Sequence, residues 1–476
     1  MKVKNMIIGA LMTVIAAPVA AQAQQDEIMS QVTTIIKSGA PDALKQVQAL
    51  EKLHKKDANA LISIGKAFLA QKDYANAKVY GEKATKVDQK NGAGWVLLGN
   101  IAVGEDNGGE AAGYFQQAQY FDPKNPDGYR RYAQIMSKTD PNGAVATLEE
   151  LRRNCPDYPV DLIAAEIQSE AGNMAKANEY YSRVSLDKMK DYQISDYATN
   201  LFLSQKYDES LKVATAGHAK FARNASFNRL IMFNQVENKN FDAAVVAGND
   251  LVNNSDSLKM SAFDYGYYGR ALEGAKKYNE AIDLYKKMQG DANMKDEDKI
   301  NANKSISDCY KKVSNFAQAG EYLTRFINAQ KQTSFGLQES VAQLYADQVK
   351  DESTAAADKK VAYDKAIALY KELAEKYPDN AVYCSNQCGN LSFALPGSDL
   401  EKLKIAAPHF ENIITILADK ADRSKAETNI LKTSYNYVTV YYVHVADNME
   451  KAKELAAKLL ELDPENANAK AILGVQ

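Results

Sequence analysis

The hydrophobic positions of this chain recur in short helical stretches, separated by turns rich in Gly, Asp, Asn and Pro. A small residue often has a large apolar residue three places earlier and a bulky residue four places later, as in Tyr278, Ala281 and Tyr285. Residues at i, i+3, i+4 and i+7 share one helical face. The pattern therefore predicts paired amphipathic helices, in which the small residue lets a neighbouring helix approach closely.

This pattern repeats along the chain at an almost constant step. Gly65, Gly99 and Ala133 are each 34 residues apart. A second series of small residues starts with nearly the same step and lengthens later: Ala77, Ala111, Ala144, Ala177, Ser210, Ala244, Ala281, Ala319, Ala366, Ala406 and Ala452. A fixed period of about twenty to fifty residues indicates a solenoid, because one helical hairpin cannot bury its apolar face alone. We predict an all-α array of about twelve helix–turn–helix pairs.

The stretch 94–125 carries the most specific residues of the repeat. Trp95, Leu98 and Gly99 resemble the W-x2-L-G element of the tetratricopeptide repeat. The A-x3-F element of that family and its closing Pro are matched by the following residues: Ala111, Phe115, Ala118 and Pro123. The resemblance extends over nearly all of the chain after residue 23. It implies a right-handed superhelical solenoid, in which the first helix of each pair lines a concave face that binds peptides or protein elements.

The first 23 residues have the three-part pattern of a secretory signal peptide. Lys2 and Lys4 precede an apolar run over residues 6–17, and Ala21-Gln22-Ala23 form an A-x-A cleavage site. The run is shorter than the roughly 20 residues that span a bilayer. An uncut N-terminal membrane anchor is the alternative. With no Cys near the cleavage site to carry a lipid, we expect a periplasmic or secreted protein that begins at Gln24.

The remaining chain divides into a regular solenoid at 24–334 and irregular repeats at 335–476. The first insertion, "ADQVKDESTAAADKKVA" after Tyr345, consists mostly of helix formers and predicts longer helices. In the second, after Leu391, Pro396-Gly397 indicates a turn and Ser398 a helix cap. The insertions are either binding loops or neutral changes in length. A short helix after Pro464 is expected to cap the array.

The sequence offers little that could carry catalysis. His54, His218, His409 and His444 are scattered over different repeats without metal-ligand spacing. There is no nucleophile elbow, no zinc-protease motif and no phosphate loop after a strand. The net charge of −3 provides no excess of basic residues for nucleic acid. We therefore predict no enzyme activity, no cofactor, no metal and no nucleic-acid binding.

Two local features remain open at this stage. Cys384 and Cys388 are four residues apart on one helical face, where two buried thiols are favoured over a strained disulfide. Asp256-Ser257-Leu258 resembles the D-S-L sequon for O-glycosylation in exported proteins of Bacteroidetes-type bacteria, and the Tyr-, Lys- and Ala-rich composition fits such a source.

The repeat pattern also predicts which side chains face the concave surface. Ile62, Val96 and Asp308 are expected there as neighbours of the main candidates. The candidate partner-binding residues are Lys66, Asn100, Arg130, Gln134, Arg229, Phe233, Arg270, Lys304, Tyr437 and Tyr441. Asn100 and Arg130 fall near the positions of a carboxylate clamp that some members of the family use, but the other clamp positions do not match.

Two functions are compatible with these features. The first is a non-enzymatic exported scaffold that binds a protein or peptide in its concave groove. The alternative is a carbohydrate-binding or nutrient-uptake accessory protein on the same helical frame. The sequence favours the scaffold, because most of the tyrosines fall at packing positions and the insertions are short.

Overall fold

The computed structural model describes residues 19–475, with side chains from residue 22 onward. Within this range the chain forms 25 α-helices and no strand, which confirms the predicted all-α helical solenoid. Residues 1–18 of the predicted signal peptide lie outside the described residues, and the A-x-A motif at 21–23 falls within the first helix. Contacts divide the chain into two compact units, of which the first ends at Asn238 and also includes Asn254–Asp256.

The helices of the first unit are α1 (Val19–Lys37), α2 (Ala43–His54), α3 (Ala58–Ala70), α4 (Tyr74–Val87), α5 (Gly92–Gly104), α6 (Gly108–Phe121), α7 (Pro126–Met136), α8 (Pro141–Asn154), α9 (Val160–Glu170), α10 (Met174–Ser182), α11 (Asp191–Leu203), α12 (Tyr207–Lys220) and α13 (Ala225–Glu237). Those of the second unit are α14 (Phe241–Asn254), α15 (Ala262–Gly274), α16 (Tyr278–Gly290), α17 (Asp296–Lys312), α18 (Phe316–Asn328), α19 (Phe335–Lys350), α20 (Ala356–Lys376), α21 (Ala381–Ser392), α22 (Asp399–Leu417), α23 (Lys425–His444), α24 (Met449–Leu462) and α25 (Ala467–Leu473).

The helices pack as consecutive pairs. In the first unit α3 packs against α4 and α5 against α6, and in the second unit α19 packs against α20 and α23 against α24. Odd-numbered helices also contact one another, as α3 with α5, α5 with α7 and α23 with α25. We call the odd-numbered helices of each unit its A row. Over the described residues, the helix count corresponds to the expected twelve pairs and one terminal helix.

The repeating small residues lie at the tightest contacts of the core. All eleven of the series have no exposed surface: Ala77, Ala111, Ala144, Ala177, Ser210, Ala244, Ala281, Ala319, Ala366, Ala406 and Ala452. The bulky residues four places later include the fully buried Phe115, Tyr181 and Phe410. Close approach explains why some positions carry glycine, since a Cβ on Gly99 would lie 2.4 Å from a ring carbon of Phe115. The predicted register of the core is confirmed.

The turn inside a pair has a repeated backbone conformation. One turn residue has a φ between 49° and 77° in nine of the pairs: Gly39, Lys72, Asp106, Gly172, Gln205, Lys239, Lys276, Ser314 and Asp447. In most of these turns the backbone N–H that follows this residue bonds back across the helix end, as Lys277 N does to Leu272 O at 2.8 Å. Because only Gly39 and Gly172 are glycines, most of these turns hold an L-residue in the left-handed region.

The irregular repeats differ mainly in helix length. The first insertion becomes part of the longer helices α19 and α20, and α20 alone has 21 residues. In the second insertion, Glu401 N donates to Ser398 Oγ at 3.3 Å and Ser398 N donates to Glu401 Oε2 at 2.8 Å, which confirms the predicted cap and completes a capping box. The last helix, α25, packs on the core next to α23 and α24 and buries Ala469 completely.

Candidate partner-binding face

Every candidate residue predicted from the sequence lies on an odd-numbered helix. In the first unit, Lys66 lies on α3, Asn100 on α5, Arg130 and Gln134 on α7, and Arg229 and Phe233 on α13. In the second unit, Arg270 lies on α15, Lys304 on α17, and Tyr437 and Tyr441 on α23. The candidates are therefore distributed along the A row of both units and do not form one compact site.

Burial separates packing residues from surface residues within this set. Ile62 and Val96 are 2% and 8% exposed, so they contribute to the core between pairs. Phe233 is 9% exposed, and its ring centre lies 5.9 Å from that of Phe202. Lys66 is exposed and Asn100 is half-buried. The groove positions of a repeat thus differ in accessibility, because the neighbouring helix covers some of them.

Two adjacent arginines give α7 a distinct electrostatic character. Arg130 Nη2 lies 2.7 Å from Asp127 Oδ1, but the buried Arg130 Nε has no hydrogen-bond partner. Arg131, which the sequence analysis did not single out, donates from Nη1 to Gln134 Oε1 at 3.4 Å. Burial, and next the charge of Arg130, lower the pKa of Arg131. Within the described residues, Asp127 lies at ion-pair distance from Arg130 only, and it influences Arg131 from farther away.

The next two odd-numbered helices, α9 and α11, carry an acidic counterpart. Gln193 Nε2 donates to Glu166 Oε1 at 2.7 Å, and Tyr181 OH donates to Asp196 Oδ2 at 2.6 Å. Ser169 Oγ donates to the other oxygen of Asp196 at 2.9 Å. Burial, followed by the bond to Asp196, raises the pKa of Tyr181. These carboxylates already hold neighbouring pairs together, and no sequence pattern singled them out.

In the second unit, α15 and α17 bring three expected residues close together. Glu273 Oε1 accepts a bond from Tyr285 OH at 2.7 Å, while burial is the main cause that raises the pKa of Glu273. Arg270, Lys304 and Asp308 all lie near enough to influence that pKa. Lys304 Nζ also lies 2.9 Å from Asp308 Oδ2. The resulting surface is charged but internally paired.

The aromatic candidates on α23 are partly used for packing. The Tyr437 ring stacks on Phe410, with centroids 4.8 Å apart and planes 20° apart, and lies 5.0 Å from the Phe393 ring. The rings of Tyr441 and Tyr442 meet edge to face at 5.2 Å. Tyr442 OH donates to Glu411 Oε1 at 2.7 Å. These contacts fix the orientation of α23 against α22.

The cysteines and potential metal ligands do not form a reactive centre in the part of the chain that the structure describes. All four cysteines are free, and Cys384 and Cys388 are buried thiols, as the sequence analysis favoured. Burial raises their pKa values to about 11 and about 12. Across residues 19–475, no group of three or more His, Cys, Asp or Glu side chains could hold a metal ion. Among the described helices, none combines the length and apolar character needed to cross a membrane.

Comparisons with known proteins give only distant structural likenesses. A crystal structure of the C-terminal part of a tetratricopeptide-repeat-containing protein from Cytophaga hutchinsonii is 20% identical, with a TM-score of 0.37, over 59% of this chain and 99% of that one. A tetratricopeptide repeat protein from Parabacteroides merdae is 15% identical, with a TM-score of 0.34, over 54% of this chain and 99% of that one. The structure of Naa15/Naa10 bound to HypK-THB is 14% identical, with a TM-score of 0.35, over 94% of this chain and 70% of that one.

No family model matches the chain. No curated protein matches it either. The buried small residues and the paired helices define an array of helical hairpins. In the residues of the 94–125 repeat these hairpins resemble tetratricopeptide repeats.

Proposed function

We propose that this chain is an exported, non-enzymatic scaffold that binds a protein or peptide partner along its A row. The observation that carries the proposal is the arginine pair on α7. Arg130 Nε is buried without a hydrogen-bond partner, and Arg131 has no carboxylate at ion-pair distance within the described residues. A buried donor without an acceptor costs about 1–3 kcal/mol. An anionic group of a partner would pair with the excess positive charge of the two guanidinium groups without breaking an existing bond.

The chemistry of this site favours a carboxylate or another planar anion. The guanidinium group presents several N–H donors in a fixed fork that matches a carboxylate. Asp127 is half exposed, so it neutralises only part of the positive charge. The expected partner therefore presents an acidic side chain or a chain terminus to α7, and makes further contacts with Lys66 and Asn100 on the preceding odd-numbered helices.

Site-specific photo-crosslinking in envelope extract tests this proposal. A benzophenone amino acid at Asn100 should form a crosslink to a discrete partner, whereas the same group at the exposed Gln117 on α6 should not. Joint replacement of Arg130 and Arg131 by Gln should weaken capture at least tenfold, since a lost charged hydrogen bond costs about 1.5–3 kcal/mol. A variant with Lys86→Gln and Lys90→Gln is the matched control for lost charge. Equal crosslinking at Asn100 and Gln117, or undiminished capture by the arginine variant, would refute binding on this face.

The proposed export rests on the N-terminal sequence pattern. N-terminal sequencing of the protein from the envelope fraction should begin at Gln24. A terminus at Met1 together with cytoplasmic fractionation would contradict export, and Met1 on membrane-bound protein would indicate the uncut anchor instead.

A further inference from the structure

The helix α2, at the start of the first unit, carries an exposed basic surface. Residues 42–90 contain ten lysines and six Asp or Glu residues, whereas the whole chain has a net charge of −3. The charge of this segment is therefore opposite in sign to that of the chain. On α2 and the turn that follows it, four lysines are exposed, and we call them the lysine face: Lys45, Lys52, Lys55 and Lys56.

The lysine face is not neutralised by neighbouring carboxylates. The carboxylate of Glu51 on α2 accepts bonds from Tyr80 OH at 3.1 Å and from Lys83 Nζ at 2.6 Å, so it links α2 to α4. Over the part of the chain that the structure describes, none of the four lysines lies at ion-pair distance from a carboxylate, unlike Lys304, which pairs with Asp308. The four ammonium groups are therefore available to an external anion.

Apolar side chains border the lysine face, because α2 is only weakly packed against the array. Val47 is the one buried residue of α2, whereas α4 buries five. Leu44 and Leu53 are 52% and 79% exposed. Lys45 and Lys52 are about two helical turns apart and share the outward side of α2, and the two leucines flank that side on either edge. The exposed surface of α2 thus combines cationic and apolar groups.

The kinds of side chain on this surface favour a lipid bilayer over other anionic partners. The chain has no arginine before Arg130. Arginine forms a rigid fork that suits bidentate binding of phosphate, whereas the lysine ammonium is a compact point charge on a flexible stem. A group of lysines therefore suits the diffuse charge of an anionic bilayer, to which each lysine near the surface adds attraction. The exposed leucines can enter the apolar boundary beneath the headgroups, which a nucleic acid does not offer.

We propose that the lysine face and its two flanking leucines bind the surface of an anionic phospholipid bilayer. The ammonium groups lie at the level of the lipid phosphates, and Leu44 and Leu53 contact the acyl-chain boundary. This inference goes beyond the proposed scaffold function and does not depend on it. The candidate partner-binding residues lie on odd-numbered helices and the lysine face lies on an even-numbered one, so the chain can hold a protein partner and a membrane at the same time.

Co-sedimentation with lipid vesicles tests this inference, with the purified protein in the processed form that the cell contains. The probes are vesicles of equal parts phosphatidylglycerol and phosphatidylcholine, and vesicles of phosphatidylcholine alone. The partition coefficient on the anionic vesicles should exceed that on the neutral vesicles at least tenfold. It should fall at least fivefold when NaCl is raised from about 50 to about 300 mM, because salt screens the surface charge. Neither comparison depends on the folding of a variant.

Two variants separate the charged and the apolar contributions. Changing the four lysines of the lysine face to Gln should lower the partition coefficient on the anionic vesicles at least tenfold. Leu53→Gln should lower it at least threefold and leave the salt dependence unchanged, since Leu53 carries no charge. The matched control changes to Gln four other exposed lysines that lack an ion pair within residues 19–475, and it should leave the coefficient within twofold: Lys331, Lys404, Lys425 and Lys453. Because all of these positions are exposed, the melting curves should match that of the unmodified protein.

Several outcomes would overturn the proposal. Equal binding to anionic and neutral vesicles, or binding that survives the change of the four lysines, would exclude the lysine face as the membrane contact. An equal loss in the lysine variant and in its control would show an effect of net charge alone. Tighter binding to polyglutamate or to a DNA duplex than to anionic vesicles, lost in the same lysine variant and unaffected by Leu53→Gln, would identify an acidic macromolecule as the partner instead.

Discussion

The contact between Gly99 and Phe115 allows a quantitative test of how the pairs pack. A Cβ added to Gly99 would lie 2.4 Å from Phe115 Cε1 and 2.7 Å from two further ring carbons. Phe115 has no exposed surface, so its ring has no open space to move into. Overpacking a well-filled core typically costs about 1–3 kcal/mol. Alanine is favoured over glycine inside a helix by about 1 kcal/mol, which offsets only part of that cost.

Gly113 in the same hairpin provides a matched control. It lies inside α6 and is exposed, and a Cβ added there would have no atom beyond its own helix backbone and its chain neighbours within 4 Å. Gly113→Ala should therefore stabilise the hairpin by about 1 kcal/mol. Gly99→Ala should lower the free energy of unfolding of the hairpin by between zero and about 2 kcal/mol, because the cost of overpacking offsets or exceeds the stabilisation that alanine gives a helix. The difference between the two variants, about 1–3 kcal/mol, isolates the steric contact.

Native-state hydrogen exchange is the suitable assay, because a long repeat array does not unfold in one all-or-none step. Peptides from α5 and α6 should exchange faster in Gly99→Ala and more slowly in Gly113→Ala than in the unchanged protein. Adding Phe115→Leu to Gly99→Ala should cost less than the sum of the two single changes, since the smaller side chain relieves the clash. Equal protection in the two alanine variants would show that Gly99 does not lie at a close contact, and the assigned register would be wrong.

Three further predictions concern single residues. Lys276 has a φ of 59°, which a glycine adopts without the strain of a side chain. Lys276→Gly should therefore raise the free energy of opening of the α15–α16 turn by about 1 kcal/mol in the same exchange assay. Faster opening would contradict this. Tyr181→Phe removes the 2.6 Å donor to Asp196 and should cost about 1.5–3 kcal/mol in the exchange of α10 and α11, whereas Tyr197→Phe should cost much less. Burial lowers the pKa of His409 to about 4, so the unfolded chain binds a proton more readily and stability should fall as pH decreases from about 6.5 to about 4. Thermal melting of His409→Gln should lose that part of the pH dependence, and an unchanged profile would refute it.

The repeat register could be predicted from the sequence because a period is a property of the sequence alone. A small residue at Ala77 or Ala281 is followed, one step later, by another small residue in the same environment, and each is completely buried. The cap at Ser398 could also be predicted from the sequence, because a serine three residues before Glu401 is a local sequence signal for a helix start. Local and periodic features thus determine most of the helical array.

The composition of the A-row surface could be predicted only in part. The register identified Arg130 and Arg270 as residues of odd-numbered helices, but it did not distinguish them from Phe233, which the neighbouring Phe202 covers. Arg131 lies one residue beyond the predicted position and was missed for that reason. The exposure of each side chain on an odd-numbered helix depends on which side chain of the next pair contacts it. The repeat pattern assigns one type of residue to each position and does not contain that information.

The hydrogen bonds between pairs also decide where binding energy is available along the array. Asp196 accepts bonds from Tyr181 and Ser169, so a ligand that approached it would have to replace bonds that already stabilise α9, α10 and α11. The net gain from such an exchange is small, because a bond made is offset by a bond lost. At α7 the buried Arg130 Nε has no such bond to lose. Binding along this helical array should therefore concentrate where contacts between pairs leave donors and acceptors unsatisfied. Once the stability of each variant is taken into account, the loss of capture in the Arg130/Arg131 variant should exceed the loss caused by Asp196→Asn.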